Sequence, residues 1–429
     1  MPLRDDAALD SLYARVSWRL MPFLFLCYVV AYLDRVNVGF AKLQMLADLR
    51  FSDTVYGAGA GIFFLGYFLC EVPSNLLMAR VGARRWIARI MVSWGLLSAA
   101  MMFTSSVTSF YVLRFLLGAA EAGFFPGIIL YLTYWYPARR RARMVALFMS
   151  GVAVAGVIGG PLSGWILRSC AGWYGLQGWQ WLFLLEGLPA VLVGIWTLYY
   201  LDDGIRAAGW LSEDDKQQLE LALQADQAGK AMLPLAQVFG SGMVWLLALI
   251  YFLFVMGLYG VSFWLPQLIK NSGVQDVFMV GLLAAIPYGV AAVTMVLVAR
   301  HSDRSGERRW HAAGAALAGA AGLLAATLYS DNTLLALLAL SVATAGILST
   351  FPLFWSLPTA LLGGAAAAAG IALINSVGNL AGFVSPYLVG AIKDASGSTS
   401  AGMLVLAASL LAGAVLVVTA LRSDTFEST

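Results

Sequence analysis

Tyr32-Leu33-Asp34-Arg35-Val36-Asn37 lies inside an otherwise apolar run from Phe23 to Phe40. An acid and a base stand side by side there. A charge at the centre of a bilayer costs about 2.5–3.5 kcal/mol even on the lenient insertion scale, so a chain that keeps two needs a use for them. A second apolar run carries Arg114 and Glu121. The expectation drawn from these four residues is an ion-coupling and anion-binding centre, with the rest of the chain as a scaffold that moves around it.

The composition agrees with a membrane setting. Of 429 residues 61% are hydrophobic and only 11% charged, against about 25% charged in a soluble domain. The net charge of +3 says little about partners. Cys27, Cys70 and Cys170 are scattered and imply neither a disulfide framework nor a zinc site. His301 and His311 fall in or beside one basic loop, so carboxylates are expected to carry any protons within the membrane. The first apolar run starts near residue 20, after Asp5, Asp6 and Asp10, and no small-residue cleavage site follows it. The first helix is therefore expected to be retained. Leu9, Leu12 and Val16 precede it at helical spacing, as a helix on the cytoplasmic membrane surface or as a frayed terminus.

Spans of about 20 apolar residues cross a bilayer. The runs are 18–40, 54–78, 86–106, 109–136, 143–168, 179–201, 241–269, 276–299, 310–330, 332–356, 365–391 and 399–421. They give twelve helices, six on each side of a polar interval. Arginines cluster after the second run (Arg80, Arg84, Arg85, Arg89), the fourth (Arg139, Arg140, Arg141, Arg143) and the eighth (Arg300, Arg304, Arg308, Arg309). The alternate loops hold scattered charges such as Lys42, Arg50, Arg168, Lys270 and Lys393. The positive-inside bias then puts both termini and the polar interval in the cytoplasm. In that interval Ser212 precedes Glu213, Asp214 and Asp215, an N-cap with acids in the first turn of a short helix. The division is an N-terminal six-helix bundle over 1–201, a cytoplasmic linker over 202–240 and a C-terminal six-helix bundle over 241–429. A weak repeat supports paired halves: Arg-x-Gly-x-Arg-Arg occurs at Arg80–Arg85 and at Arg304–Arg309, and transporters built from two such halves place substrate at their interface.

The chain resembles the major facilitator superfamily, and within it the anion:cation symporter family, over most of its length. The likeness rests on Tyr32–Asn37, Gly61-Ile62-Phe63-Phe64-Leu65-Gly66-Tyr67, Glu71-Val72-Pro73-Ser74-Asn75, Arg114-Phe115-Leu116-Leu117-Gly118 leading to Glu121, and Asn375 to Asn379. It is similar to bacterial permeases of the tartrate, phthalate and hydroxyphenylacetate type. The resemblance implies the major facilitator fold and proton-driven uptake of an organic anion. One position departs from the pattern. The superfamily's loop after the second span has Asp before Arg-x-Gly; here that position is Ala79, whereas the second copy keeps Asp303 beside Arg304.

The fold expected is thus an all-α polytopic membrane protein, twelve transmembrane helices in two pseudo-symmetric six-helix bundles. Adjacent on one helix, Asp34 and Arg35 point about 100° apart and cannot face each other. Arg114 and Glu121 are seven residues apart on nearly one face, too distant for a local pair. A mutual cluster across the first and fourth spans is the economical arrangement, with Asp34 and Glu121 as proton carriers. The alternative is a structural ion-pair network locking those spans. Either Arg35 or Arg114 grips the substrate; the resemblance favours Arg35, with Arg114 steadying the acids. Tyr67 binds a substrate oxygen or fills a helix interface. Asn375 and Asn379 recognise carboxylate or hydroxyl oxygens, or act as interhelical bonds worth about 0.6 kcal/mol each. Of the aromatics in the seventh and tenth spans, Tyr259 and Trp355 are the candidates to line a cavity. Glu71 suits a helix cap or a gate contact. Glu186 is expected to satisfy backbone near a kink. Gly160 and Pro161 belong to a small-residue stretch that permits close helix approach and also resembles proton antiporters.

Other chemistry has no support in the residues. Gly229-Lys230 lacks the upstream glycine and following hydroxyl of a nucleotide-binding loop. No metal-ligand spacing and no nucleophile–base pattern is present, so neither an enzyme nor a cofactor other than the proton is expected. The expectation is a monomer in the bacterial inner membrane, in contact with the lipid bilayer and a small organic anion and with no nucleic acid. The anion would be a dicarboxylate, sugar acid or aromatic carboxylate. A proton antiporter that exports its substrate, or a non-transporting sensor on the same scaffold, remains open at this point.

Overall fold

A bilayer core offers no water to backbone N–H and C=O groups, so apolar runs of this length close their hydrogen bonds within helices. The chain, a computed structural model, is described over residues 6–227, 240–361 and 364–420. Its first half contains α1 (Asp6–Leu49), α2 (Asp53–Val81), α3 (Ala83–Ala100), α4 (Val107–Glu121), α5 (Phe124–Thr133), α6 (Ala138–Met149), α7 (Gly151–Ser169) and α8 (Gly178–Tyr200). The linker carries α9 (Glu213–Gln227). The second half contains α10 (Gly242–Asn271), α11 (Val277–Ser305), α12 (Arg309–Leu328), α13 (Thr333–Leu361), α14 (Gly364–Asn379), α15 (Ala381–Ser396) and α16 (Thr399–Ala420). Among the described residues twelve stretches are long and apolar enough to cross a membrane. Three of them join two helices each: α4 with α5, α6 with α7, and α14 with α15. The architecture is all-α, with two pseudo-symmetric six-helix bundles. The linker over 228–239, with Gly229-Lys230, and both chain ends lie outside the described residues.

The first span departs most from the sequence expectation. One helix runs unbroken from Asp6 to Leu49. Leu9, Leu12 and Val16 are buried, so this segment is neither a surface helix nor a frayed end. It is held at its start by Arg140–Asp10 (2.5 Å), by Arg15–Asp215 from the linker (3.1 Å) and by the Arg140 guanidinium over the Tyr13 ring. At its other end the helix outlasts the apolar run by two turns and more. Lys42, expected in a loop, therefore lies inside it and is buried.

The repeated Arg-x-Gly-x-Arg-Arg places a glycine of positive φ after the second helix of each half, with ψ of 146° at Gly82 and 0° at Gly306. Gly82 and Gly306 take φ of 100° and 69°, the left-handed region that glycine tolerates. Where the first copy has Ala79 in place of an acid, Asp203 from the start of the linker accepts the Arg84 N–H at 2.9 Å. In the second copy Asp303 and Arg304 are exposed on the last turn of α11. Glu307 there accepts the Trp310 N–H and caps α12. Partial burial acts to raise the Glu307 carboxyl, but the donors from Trp310 and His311 outweigh it and hold the group below the usual glutamate value.

The two bundles meet tightly at the face opposite the chain termini. A side chain on Gly160 of α7 would run into the Gly281 carbonyl of α11, and one on Gly164 would lie 2.8 Å from the Val277 carbonyl. Pro161 sits within α7 beside this contact. Gly57 and Gly61 of α2 likewise abut the backbone of α15 at Pro386 and Phe383. Small residues let backbones approach where lipid gives no hydrophobic drive.

Charges seal the same face. Asp53, at the start of α2, takes Lys42 at 2.6 Å and Lys393 of α15 at 2.9 Å. The Asp394 carboxylate accepts the N–H groups of Asp53 (3.2 Å) and Thr54 (2.7 Å), capping α2 from the other bundle. The Lys42 ammonium stands 3.2 Å above the Trp264 ring of α10, and Tyr56 Oη donates to the Phe263 carbonyl at 2.9 Å. Removing one partner of a buried ion pair costs about 3–5 kcal/mol, because the other charge is left uncompensated. Asp53→Ala is therefore expected to lower the thermal midpoint of the purified protein, and adding Lys42→Met should recover part of the loss. Equal melting of Asp53→Ala and the unmutated protein would contradict this account of the seal.

Candidate functional site

The fourth span breaks where its acid sits. α4 ends at Glu121, Ala122 leaves helical geometry with ψ of 132°, and Gly123 takes φ of 86° before α5 resumes. A side chain at Gly123 would meet Ser74 of α2, so the break needs glycine on both conformational and steric grounds. It leaves Glu121 at the end of a half-helix, buried in the middle of the molecule and aimed at α1.

Arg35 answers it. The Arg35 Nη2 and Glu121 Oε1 form a direct ion pair. Both side chains are almost wholly shielded from solvent. Arg35 Nη1 donates to Tyr259 Oη at 3.4 Å, across the boundary between the halves. Its Nε has no partner among the described residues. The guanidinium lies 5.6 Å from the Tyr67 ring centre and 5.7 Å from that of Phe63. The site is thus a cation held by one carboxylate, with aromatic faces around it and a hydroxyl from the second half.

The other two charged residues do not join this pair. Asp34 turns into the first bundle, against α3. Its Oδ2 accepts Trp94 Nε1 at 2.8 Å, and its Oδ1 accepts Ser98 Oγ at 2.7 Å and Asn37 Nδ2 at 3.5 Å. All three donors are neutral. Arg114 points at α2, where Nε and Nη2 donate to the Gly59 and Ala60 carbonyls at 3.1 and 3.0 Å. The expected single cluster of four is therefore replaced by three separate arrangements. The reason is angular: Asp34 and Arg35 leave α1 in different directions, and each meets a different neighbour. Arg114 and Arg35 both lie over the Phe63 ring, the Arg114 guanidinium at 5.0 Å from its centre.

The remaining candidates lie around the boundary. Glu71 of α2 accepts from Asn375 Nδ2 and Ser376 Oγ of α14, both at 3.4 Å, and so joins the halves rather than capping a helix. Asn379 is half-buried at the end of α14. Trp355 packs edge-on against Tyr251, with ring centres 4.8 Å apart. Sequence reasoning missed Trp94 and Ser98 as partners of Asp34. It also missed the Lys42, Asp53, Lys393 and Asp394 cluster, although a lysine and an aspartate flanking the first interhelical turn were a visible signal.

A family model described as Major Facilitator Superfamily matches residues 24–386. A protein of Pseudomonas putida, provisionally named as the metabolite transport protein NicT, is 50% identical over 415 residues, covering 96% of this chain and 95% of the relative. A protein of Agrobacterium vitis provisionally named as a tartrate transporter is 49% identical over 426 residues, covering 98% and 94%. Among solved structures, that of a D-xylose–proton symporter superposes with a TM-score of 0.73 at 18% identity, covering 94% of this chain and 97% of the other. The last likeness concerns the fold alone.

Arg114 spends its charge on backbone oxygens, and a hydrogen bond from a charged group contributes about 1.5–3 kcal/mol. Arg114→Met is expected to lower stability by about 3–6 kcal/mol, since it removes two such bonds. The thermal midpoint of the purified protein checks this, and an unchanged midpoint would show that the contacts with Gly59 and Ala60 carry no stability.

Proposed function

The chain belongs to the major facilitator superfamily, a family of membrane transporters, and on that premise we propose that it is a proton-coupled symporter of a small organic anion. The observation that carries this reading is the buried Arg35–Glu121 pair at the boundary of the halves, with Tyr259 reaching it from the second bundle.

The chemistry follows from charge balance. With Glu121 ionised, the guanidinium is neutralised and has little to offer an anion. Protonating Glu121 removes the negative charge and leaves Arg35 uncompensated in a low-dielectric setting. A carboxylate then replaces Glu121, gripped by two parallel N–H groups as arginine geometry allows. Anion binding in turn favours the protonated acid, because coupling between two sites is reciprocal. Tyr259 Oη and the Tyr67 ring complete the pocket, and Arg35 rather than Arg114 is the substrate residue in this reading.

Asp34 is the second proton carrier. Its carboxyl has three neutral donors and no ion pair among the described residues, so gaining a proton changes the charge of α1 one residue away from Arg35. Two protons with a monoanion carry net positive charge inward, to which the membrane potential contributes about 2.3 kcal/mol per charge per 100 mV, whereas two protons with a dicarboxylate dianion move no net charge and draw on the pH gradient alone. With both termini in the cytoplasm of a bacterial cell, the sealed face looks outward. With Glu71 bonded to Asn375 and Ser376 on the other side of Arg35, the site reads as closed from both sides, and the Glu71 contact must part to open it toward the cytoplasm. The likeness to a protein named for tartrate favours a small hydroxylated dicarboxylate as substrate.

Reconstituted vesicles supplied with radiolabelled tartrate test this reading. Accumulation with acid outside, abolished by a protonophore, is the expected result. Efflux driven by the same gradient would instead indicate an antiporter. Glu121→Gln should lose proton-driven accumulation while keeping counterflow exchange, and Arg35→Ala should bind tartrate at least tenfold more weakly. Wild-type accumulation by Glu121→Gln would remove Glu121 from the coupling step.

A further inference from the structure

Away from the Arg35–Glu121 site, one cluster of positive charge has no counter-charge. The end of α2 and the first turns of α3 carry Arg80, Arg84, Arg85 and Arg89. Asp203 lies beside them, but its Oδ1 takes the Arg84 backbone N–H at 2.9 Å. None of the four guanidinium groups has an ion pair among the described residues, and the Nε atoms of Arg84 and Arg89 are buried without an acceptor. Other acids on the same side of the molecule are taken, Asp10 by Arg140 and Asp215 by Arg15.

Helix geometry shows where two of these arginines stand. At about 100° per residue, Arg85, Arg89 and Leu96 fall within about 40° of one another around α3. Ile87, Met91, Trp94 and Ser98 fall on the opposite face and are buried, and there Trp94 and Ser98 serve Asp34. Leu96 is 55% exposed within a membrane-crossing stretch, so its face is the one that meets lipid. Arg85 and Arg89 continue that strip to the end of α3 on the side of the chain termini. Arg89 is six residues from the start of the helix, about 9 Å along its axis. Helical side chains lean toward the N-terminus, so both guanidinium groups are carried back toward the headgroup layer while their stems lie on apolar surface.

The pair is also held ready. Trp86 Nε1 donates to Ser74 Oγ of α2 at 3.0 Å, which fixes the indole. The Arg89 guanidinium carbon lies 4.0 Å from the centre of that ring. Like charges one turn apart on a helix repel, and a charge at the edge of the hydrocarbon needs a partner. A phosphate between the two arginines answers both demands, because its oxygens accept paired N–H groups from guanidinium. We propose that Arg85 and Arg89, with Trp86 as a platform, bind the phosphate of an anionic phospholipid in the leaflet on the side of the chain termini. A zwitterionic headgroup brings its own cation beside the phosphate and is the poorer partner. A free phosphate has no acyl chains to lie along the Leu96 strip. This site stands apart from the Arg35–Glu121 pair and does not depend on the reading of that pair.

Native mass spectrometry of the purified protein, equilibrated in detergent with phosphatidylglycerol and phosphatidylcholine of the same acyl chains, counts the lipid retained. Phosphatidylglycerol is expected to be retained in preference. A basic residue near a charged membrane surface contributes a factor of about five in affinity. Arg85→Gln, at an exposed position that the fold does not need, should therefore weaken phosphatidylglycerol binding about fivefold, and the double variant with Arg89→Gln about twenty-five-fold. Arg300→Gln, exposed at the corresponding end of the second half, should leave it unchanged. Phosphatidylglycerol should also raise the thermal midpoint of the wild type, and inorganic phosphate at the same concentration should not. Equal retention of the two lipids, or wild-type retention of phosphatidylglycerol by the double variant, would overturn the proposal. So would an equal loss in Arg300→Gln, which would show diffuse attraction only, or an equal midpoint shift with inorganic phosphate, which would assign the arginines to a free anion.

Discussion

Compensation of a single buried guanidinium governs this molecule. Arg35 sits where the two halves meet, with water excluded, and an isolated charge in such a place costs several kcal/mol. The break between α4 and α5 exists to bring Glu121 to it: Gly123 supplies the left-handed turn, and Ser74 leaves no room for a side chain there. Because one partner of the pair can change its charge and the other cannot, the pair can be opened by a proton. The other two charges singled out in the first and fourth spans make their hydrogen bonds elsewhere. Arg114 is turned aside onto the carbonyls of α2, and Asp34 is taken up by Trp94 and Ser98.

A second set of contacts decides which face of the molecule is shut. At the face opposite the termini, glycines bring α7 onto α11 and α2 onto α15, and Asp53 gathers two lysines from different halves. The backbone contacts are short and shape-specific, and the charged contacts span the boundary. Such an interface is either formed or broken, with little in between, because close-packed surfaces do not deform gradually. Rocking of the halves would therefore exchange one discrete set of contacts for another. Glu71 sits on the other side of Arg35, bonded to Asn375 and Ser376 at 3.4 Å each.

Much of this was legible beforehand in the residues. Apolar runs twenty or more residues long have one way to satisfy their backbone in lipid, so the twelve helices followed from composition and spacing. The repeated Arg-x-Gly-x-Arg-Arg marked corresponding places in the two halves, and both glycines take positive φ. The extent of α1 did not follow. Its polar ends are supported by Arg140, Asp215 and Asp53, which lie from eleven to two hundred residues away from their partners in the chain. Hydropathy registers only the lipid-facing part of a helix, not the part stabilised by contacts of that kind. The pairing of the charges was also out of reach. Asp34, Arg35, Arg114 and Glu121 could be singled out as costly, but one hundred degrees of rotation on α1 sends neighbouring side chains to different helices.

The sequence by itself determined that this chain spans a membrane twelve times in two related halves, and that a few charges remain in its interior. Both follow from local chemistry: the hydrogen-bonding demand of backbone in lipid, and the cost of charge away from water. Only the tertiary structure decided which charge meets which. It gave Arg35 to Glu121, turned Asp34 to Trp94 and Ser98, bonded Glu186 to Ser163, and put Arg114 on backbone. Those choices depend on helix rotation and on where a helix breaks, and they are fixed by contacts between segments that lie far apart in the chain.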